Sequence, residues 1–429
     1  SDVCSSDLGC ETASRNATPP SRAVAPGAEA LDPARAASRW SADPENAARL
    51  NRIAPGFDAP FFQAGLAGYS DAAMRIVGRR NGCPLCITEA LLDRTLLGGG
   101  KGFTKADLGE LHDNIPGGAE DHPLVGQIMG SEPLEMAAAA VKMVEQGKRP
   151  NHEYRKLRNL GIHAAPEHKA VTIDRDAPGF ASIDVNLACP VKKVKSKARG
   201  GHWLREPEGA IDILRAVRDA LPEEQNSSVK LRRGFDDSPE AERNFYRILD
   251  AAFDLGYAFV TVHGRTVEQK YVGPARWTFL RDLVRNRPAH TIFGSGDVWE
   301  AADIFRMIEY TGVRAVSVAR GCIGNPWLFR QARQMMAGAA PATPTLAEQR
   351  AVLLQHFDLS VAVNGERGAS RMMRKFAIKF GWHHPDAPAV KADFVKVESA
   401  EDWRRALDAH YPADRPVGTG SAAPAARVF

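Results

Sequence analysis

The sequence of 429 residues lacks any apolar run near the ~18 residues that cross a bilayer as a helix. The longest candidate, around Met136–Val144, is interrupted by Lys142, so a soluble protein is expected. Cysteine is scarce as well. Six residues in this length exclude a disulfide scaffold, and Cys10, Cys83, Cys86, Cys189 and Cys322 read as reduced cytosolic thiols. No charge of one sign dominates: 56 Lys plus Arg stand against 52 Asp plus Glu, a net +4, which permits a nucleic-acid partner without requiring one. Cys83-Pro84-Leu85-Cys86 has no second Cys-x-x-Cys and no His pair nearby, and a structural zinc site needs four ligands, so no metal is expected. What remains, 44% hydrophobic and 25% charged residues, is ordinary globular composition; it excludes collagen-like and wholly disordered chains. The length suits one large domain and a smaller one.

The ends carry little core material. Ser1–Leu8 reads as an adapter-derived scar and is set aside from the fold; it has neither the charged start nor the apolar centre of a signal peptide. Half of Ala13–Ala36 is Ala or Pro, so residues 1–56 are expected to be a disordered leader, and 413–429 a disordered tail. From Phe57 short apolar runs alternate with helical patterns. Eight runs stand out: Phe61–Gly65, Cys86–Leu91, Leu124–Met129, Ala181–Ala188, Val229–Arg232, Phe259–His263, Thr291–Gly294 and Ala315–Ala319. Continuous apolar strands separated by amphipathic helices mean a parallel sheet covered on its outside, and eight units close a (β/α)8 TIM barrel over 57–338. A doubly wound sheet is the structural rival. Residues 148–179, dense in Lys, Arg and His, fit no unit and read as an insertion. Beyond a linker, 345–412 show helical spacing without strands, a small C-terminal helical domain.

Barrel chemistry sits at the C-terminal ends of the strands, and those ends are polar here. Strand three carries Gln127, strand four delivers Asn186 and Cys189-Pro190, strand five Lys230 and Arg232, and strand six ends His263-Gly264-Arg265-Thr266. Strands seven and eight end Gly294-Ser295-Gly296-Asp297 and Ala319-Arg320-Gly321. Each Gly-rich turn alone is what any turn needs. Together, at the two strands where barrels bind phosphate, with Arg320 beside them, they point to a phosphorylated ligand. On residue type alone Cys189 could equally be a buried small residue and Lys230 a Schiff-base lysine.

Three stretches narrow this: Asn186-Leu187-Ala188-Cys189-Pro190-Val191-Lys192-Lys193-Val194, Val262-His263-Gly264-Arg265-Thr266, and Arg320-Gly321-Cys322-Ile323-Gly324-Asn325-Pro326-Trp327. In this order they resemble the tRNA-dihydrouridine synthase family. That resemblance covers about Ala59 to Met336, and the helical tail around Arg371-Met372-Met373-Arg374-Lys375 is similar to the family's C-terminal domain. It implies a cytoplasmic flavin-dependent oxidoreductase that uses FMN and NADPH to reduce a uridine in tRNA to 5,6-dihydrouridine, with no stable protein partner. Carried over, it puts the flavin ring against Pro60, Phe61 and Phe62, with Gln127 and Lys230 beside it. His263, Ser295, Gly296, Asp297, Ala319 and Arg320 would hold the ribityl-phosphate arm. Cys189 would be the general acid, since a thiol is mostly protonated near neutral pH and can donate to a uracil enolate. Asn186 would orient a carbonyl of the uracil or the flavin.

For RNA, Lys192, Lys193, Lys195, Lys197 and Arg199 form one basic run, and Arg367, Arg371, Arg374, Lys375 and Lys379 another on the tail. Flanking one cleft, such runs would supply salt-dependent affinity for phosphates, and Arg265 would add to it. The substrate-contact set is therefore Asn186, Lys192, Lys193, Arg265, Arg371, Arg374 and Lys375. Phe61-Phe62-Gln63, Ser295 and Arg199-Gly200-Gly201-His202 depart from the family's usual residues, which leaves the target uridine open. Two other readings remain: a flavin barrel acting on a free pyrimidine, and an RNA-binding barrel without activity.

Overall fold

The computed structural model describes residues 27, 28, 30–97, 119–147, 178–190 and 200–412. Two helices, α1 (Pro33–Ala42) and α2 (Pro44–Ile53), precede the barrel. The barrel proper runs β1 (Phe61–Gln63), α3 (Ala72–Arg80), β2 (Cys86–Ile87), β3 (Leu91–Leu92), α4 (Asp93–Leu97), β4 (Leu124–Met129), α5 (Pro133–Gly147) and β5 (Ser182–Leu187). It continues with α6 (Pro207–Ala220), β6 (Ser227–Arg232), α7 (Pro239–Asp254), β7 (Phe259–His263), α8 (Trp277–Asn286), β8 (Ile292–Ser295), α9 (Ala301–Thr311), β9 (Ala315–Val318) and α10 (Trp327–Met336). The tail is α11 (Leu346–Phe380), α12 (Ala387–Phe394) and α13 (Ala400–His410).

All paired strands are parallel. Phe61 stands opposite Val316 and Cys86 opposite Leu124, so β1, β2 and β4–β9 close an eight-stranded ring, as expected for a TIM barrel. The second apolar run is split: β3 continues beside β4, with Leu91 opposite Ile128. Period-two alternation then sorts the interior by height. Phe62, Val125, Phe259, Phe293 and Ala315 cluster with Phe57 near the N-terminal end. Farther along β4, β7 and β9 come Gln127, Thr261 and Ser317, joined by Asp184 of β5 and Ser228 of β6, all nearly inaccessible. Local signals set the helices. Asp71 and Ser238 cap α3 and α7, Pro207 and Pro239 stand where a missing N–H costs nothing, and Thr345 with Glu348 forms a capping box on α11. The tail helix bends at Gly365 (φ 70°), which divides it into two arms.

The expectation of a disordered leader is corrected for residues 33–53. Asp32 caps α1, whose Ala36, Ala37 and Trp40 are buried, and Arg39 pairs with Glu309 at 2.8 Å. Small alanines let the helix lie close on its neighbours, so a composition poor in large aliphatics still yields a packed face. Residues 1–26, most of the insertion at 148–179, and the tail at 413–429 lie outside the described residues.

Candidate active site

Cys189 follows β5 by two residues and is half-buried. The Asn186 carboxamide oxygen accepts the N–H groups of Ala188 (2.9 Å) and Cys189 (3.1 Å), which folds the chain into a turn and lifts the cysteine off the strand. The Cys189 carbonyl accepts the Gly201 N–H at 2.9 Å. Asn186 Nδ2 donates to Gln127 Oε1 (2.8 Å), Gln127 Nε2 to Asp184 Oδ2 (2.8 Å), and Ser228 Oγ to Asp184 Oδ1 (2.8 Å). This chain orients both amides. The Asn186 oxygen is spent on the turn and so positions Cys189, while its Nδ2 carries a second hydrogen beyond the one given to Gln127. Asp184, 1% exposed, is pushed up to about 6 by burial, against the pull of Gln127, Ser228 and Lys230. Burial pushes Lys230 down to about 8, opposed by Asp184.

The second half of the mouth is cationic. His263 Nδ1 accepts the Arg265 N–H at 3.1 Å, which leaves the ring hydrogen on Nε2. Burial, then the charges of Arg232, Lys230, Arg265 and Arg320, hold His263 well below the usual imidazole range, so it is neutral at pH 7. Arg232 donates to the carbonyls of Ala188, Thr266 and Lys270. The Arg320 guanidinium lies 5.0 Å from the Tyr271 ring centre and 4.9 Å from that of Trp299. Gly296 has φ 120°, and a Cβ there would stand 2.6 Å from Ala275 Cβ and 3.4 Å from the His263 ring, so only glycine fits. Ser295 is buried, its hydroxyl 3.5 Å from the Ser317 carbonyl, and Ala319 is half-buried beside Arg320.

Several expected contacts are corrected. Pro60 precedes β1, at the N-terminal end of the barrel and opposite the mouth. Phe61 stacks on Phe329 of α10 (5.9 Å, 20°), while Phe62 packs against Phe57 (6.0 Å) and Phe293 (5.5 Å); neither is accessible. Period two turns these rings into the two cores, and the segment of β1 that reaches the mouth is Ala64–Gly68. The Asp297 carboxylate is taken by Arg265 Nη2 (2.6 Å) and the Ala275 N–H (2.6 Å). Arg265, 2% exposed and also bonded to the Gly273 carbonyl, is a buried structural cation at the edge of this cup and not a surface contact for RNA. On the tail, Arg371 is exposed and Arg374 lies 3.9 Å from Glu398, but Lys375 turns towards the barrel. Lys192 and Lys193 lie outside the described residues.

Sequence reasoning missed Asp184, Tyr271 and the part Arg232 plays. An acid inside the apolar run Ser182–Leu187 was the available signal for Asp184, because a buried strand has no use for one without a partner. Nothing local marks Tyr271, whose neighbours Arg232 and Arg320 come from other strands.

The chain is similar to several known proteins. A tRNA-dihydrouridine synthase B of Shewanella oneidensis is 29% identical over 342 residues, 79% of this chain and 91% of that protein. A probable tRNA-dihydrouridine synthase of Mycobacterium leprae is 32% identical over 276 residues, 62% of this chain and 70% of its own length. Among solved structures, morphinone reductase superposes with a TM-score of 0.37 at 14% identity over 68% of this chain and 87% of its own, a likeness too loose to carry an argument. The family model described as dihydrouridine synthase matches residues 157–411, more than half of the sequence, and the chain therefore belongs to the dihydrouridine synthase family.

Proposed function

We propose that this chain reduces a uridine of tRNA to 5,6-dihydrouridine, with FMN as cofactor and NADPH as electron donor. The observation that carries the reading is the half-buried Cys189 thiol, held by Asn186, at the same barrel end as a cationic cup around a neutral His263. Unpartnered buried polar atoms support a bound ligand there: Thr261 Oγ1, Ser317 Oγ and Arg265 Nη1 have no hydrogen-bond partner. The donor set suits an anionic cofactor, with His263 Nε2–H and Arg320 towards a phosphate and Lys230 and Gln127 towards a ring. When bound, FMN supplies hydride-transfer chemistry to carbon 6 of the uracil.

The remaining work belongs to the protein. Cys189 Sγ–H gives its proton to carbon 5, and the thiolate is reprotonated from water. Asn186 holds the cysteine's backbone so that this thiol stands clear of β5. Lys230, whose positive form burial disfavours, gains most from a negative charge beside it. Arg371 and Arg374 would meet RNA phosphates, as would Lys192 and Lys193. The test uses the full chain supplied with FMN. Cys189→Ala keeps the flavin and its reduction by NADPH but loses most dihydrouridine formation on unmodified tRNA. A variant as active as the parent removes Cys189 as donor, and a colourless preparation removes the flavin reading.

A further inference from the structure

Arg367, Arg371 and Lys375 recur every four residues, which puts them on one face of α11. The structure divides them. Arg367 and Arg371 are exposed, whereas Lys375 Nζ lies 4.7 Å from the Tyr69 ring centre and 3.7 Å from the point where a Gly68 Cβ would stand. Tyr69 also meets Phe376 edge-on at 5.5 Å. Two barrel carboxyls face this lysine. Asp71, 2% exposed at the start of α3, has one oxygen on the Met74 N–H at 2.8 Å, and Glu89 follows β2. Asp71 Oδ2 and Glu89 Oε1 are buried without a hydrogen-bond donor. Hydrogen bonds and charge compensate the two carboxyls together: the Gly68 N–H, then the Lys375 charge and the Tyr69 N–H, act on Glu89, and the Met74 N–H, the charges of Lys375 and Arg75, and the Asn364 side chain from the other arm of the bent helix act on Asp71. Burial holds both acids above the ordinary carboxylate range despite this help.

The grip is placed beside the chemistry. Gly68 and Tyr69 belong to the segment that leaves β1 at the mouth. In that segment a Cβ on Gly65 would overlap the Thr88 carbonyl and stand 3.4 Å from Gln127 Oε1, the atom that accepts from Asn186. The tail is thus registered against the same loop that packs on the Cys189 support.

Resting on the reading that the tail binds tRNA, we infer that Lys375 is a positioning residue: held by Asp71, Glu89 and Tyr69, it docks α11 on the barrel mouth and sets where Arg367 and Arg371 stand relative to Cys189. It makes no contact with RNA. The experiment compares Lys375→Met, Glu89→Gln and their double variant, as full chains, with Arg371→Met, using an unmodified tRNA transcript over a range of salt. Lys375→Met and Glu89→Gln each weaken binding about fivefold or more, a typical coupling, and the double variant is no weaker than the worse single. The slope of log affinity on log salt is unchanged in these and falls by about one in Arg371→Met, which loses a phosphate contact. Lys375→Arg restores most of the affinity and covers the case in which Lys375→Met does not fold. A Glu89→Gln variant that binds like the parent overturns the inference, as does a slope lowered by one in Lys375→Met or additive losses in the double variant. An Arg371→Met variant with parental affinity and slope overturns the tail's RNA role itself, whatever Glu89→Gln does.

Discussion

Replacing Phe62 separates a core residue from a cofactor contact. Its ring is fully buried, edge-on to Phe57 at 6.0 Å and tilted at 58° to Phe293 at 5.5 Å, below the polar layer of the barrel. Leucine keeps the site apolar and loses two ring pairs, each worth about 0.5–1.5 kcal/mol beyond area burial, so Phe62→Leu costs about 1–3 kcal/mol. Phe62→Ala adds a cavity and costs about 3–5 kcal/mol. For a protein of this size Phe62→Leu lowers Tm by about 1–4 °C, read by differential scanning calorimetry with and without FMN. Flavin affinity, read by fluorescence quenching, stays within about threefold of the parent. The opposite pattern would refute the placement: an unchanged Tm with affinity down by more than about tenfold, which is 1.4 kcal/mol of lost binding.

Three further perturbations follow from named contacts. Arg75 and Asp121 form an ion pair with both side chains at 0% exposure (2.7 Å), and Arg75→Met strands the carboxylate at a cost of about 3–5 kcal/mol, whereas Arg75→Met with Asp121→Leu regains much of it; thermal unfolding of both variants decides. Asp184 is pushed up to about 6 in the folded chain, above its unfolded value, so the stability it contributes is present in acid and lost as pH rises from about 4 to 6. Asp184→Asn therefore gains on the parent over that window, and a difference in Tm that stays flat between pH 4.5 and 7 would contradict the burial argument. Arg371→Met and Arg374→Met together weaken tRNA binding and lower its salt slope by about two, checked by filter binding; an unchanged slope removes these side chains from the RNA interface.

Much of the architecture was legible because it depends on short-range repetition. Eight apolar runs at strand length, Pro207 and Pro239 at helix starts, and capping residues such as Thr345 with Glu348 all act within a few positions. The polar strand ends were legible too, since a buried parallel strand otherwise has no reason to finish on Asn186, Lys230 or His263. The leader was misread because composition counts large aliphatics, while α1 packs through Ala36 and Ala37, small enough for close approach.

By itself, the sequence determined the barrel, the helical tail, and the end of the barrel at which Cys189 stands. The tertiary structure alone decided which side chains are free to act there. Asp297 and Arg265 are both polar residues at strand ends, yet 32 positions apart they neutralise each other. Gln127 and Asp184, 57 positions apart, make one hydrogen-bonded chain with Asn186. Phe61 and Phe62 differ by a single place and face different cores, and Lys375 leaves its basic stripe because the barrel's Asp71 and Glu89 meet it. The reason is common to all of these. A buried polar group must find its partner across space, and that partner's place is set by barrel closure and helix docking, which no local spacing encodes.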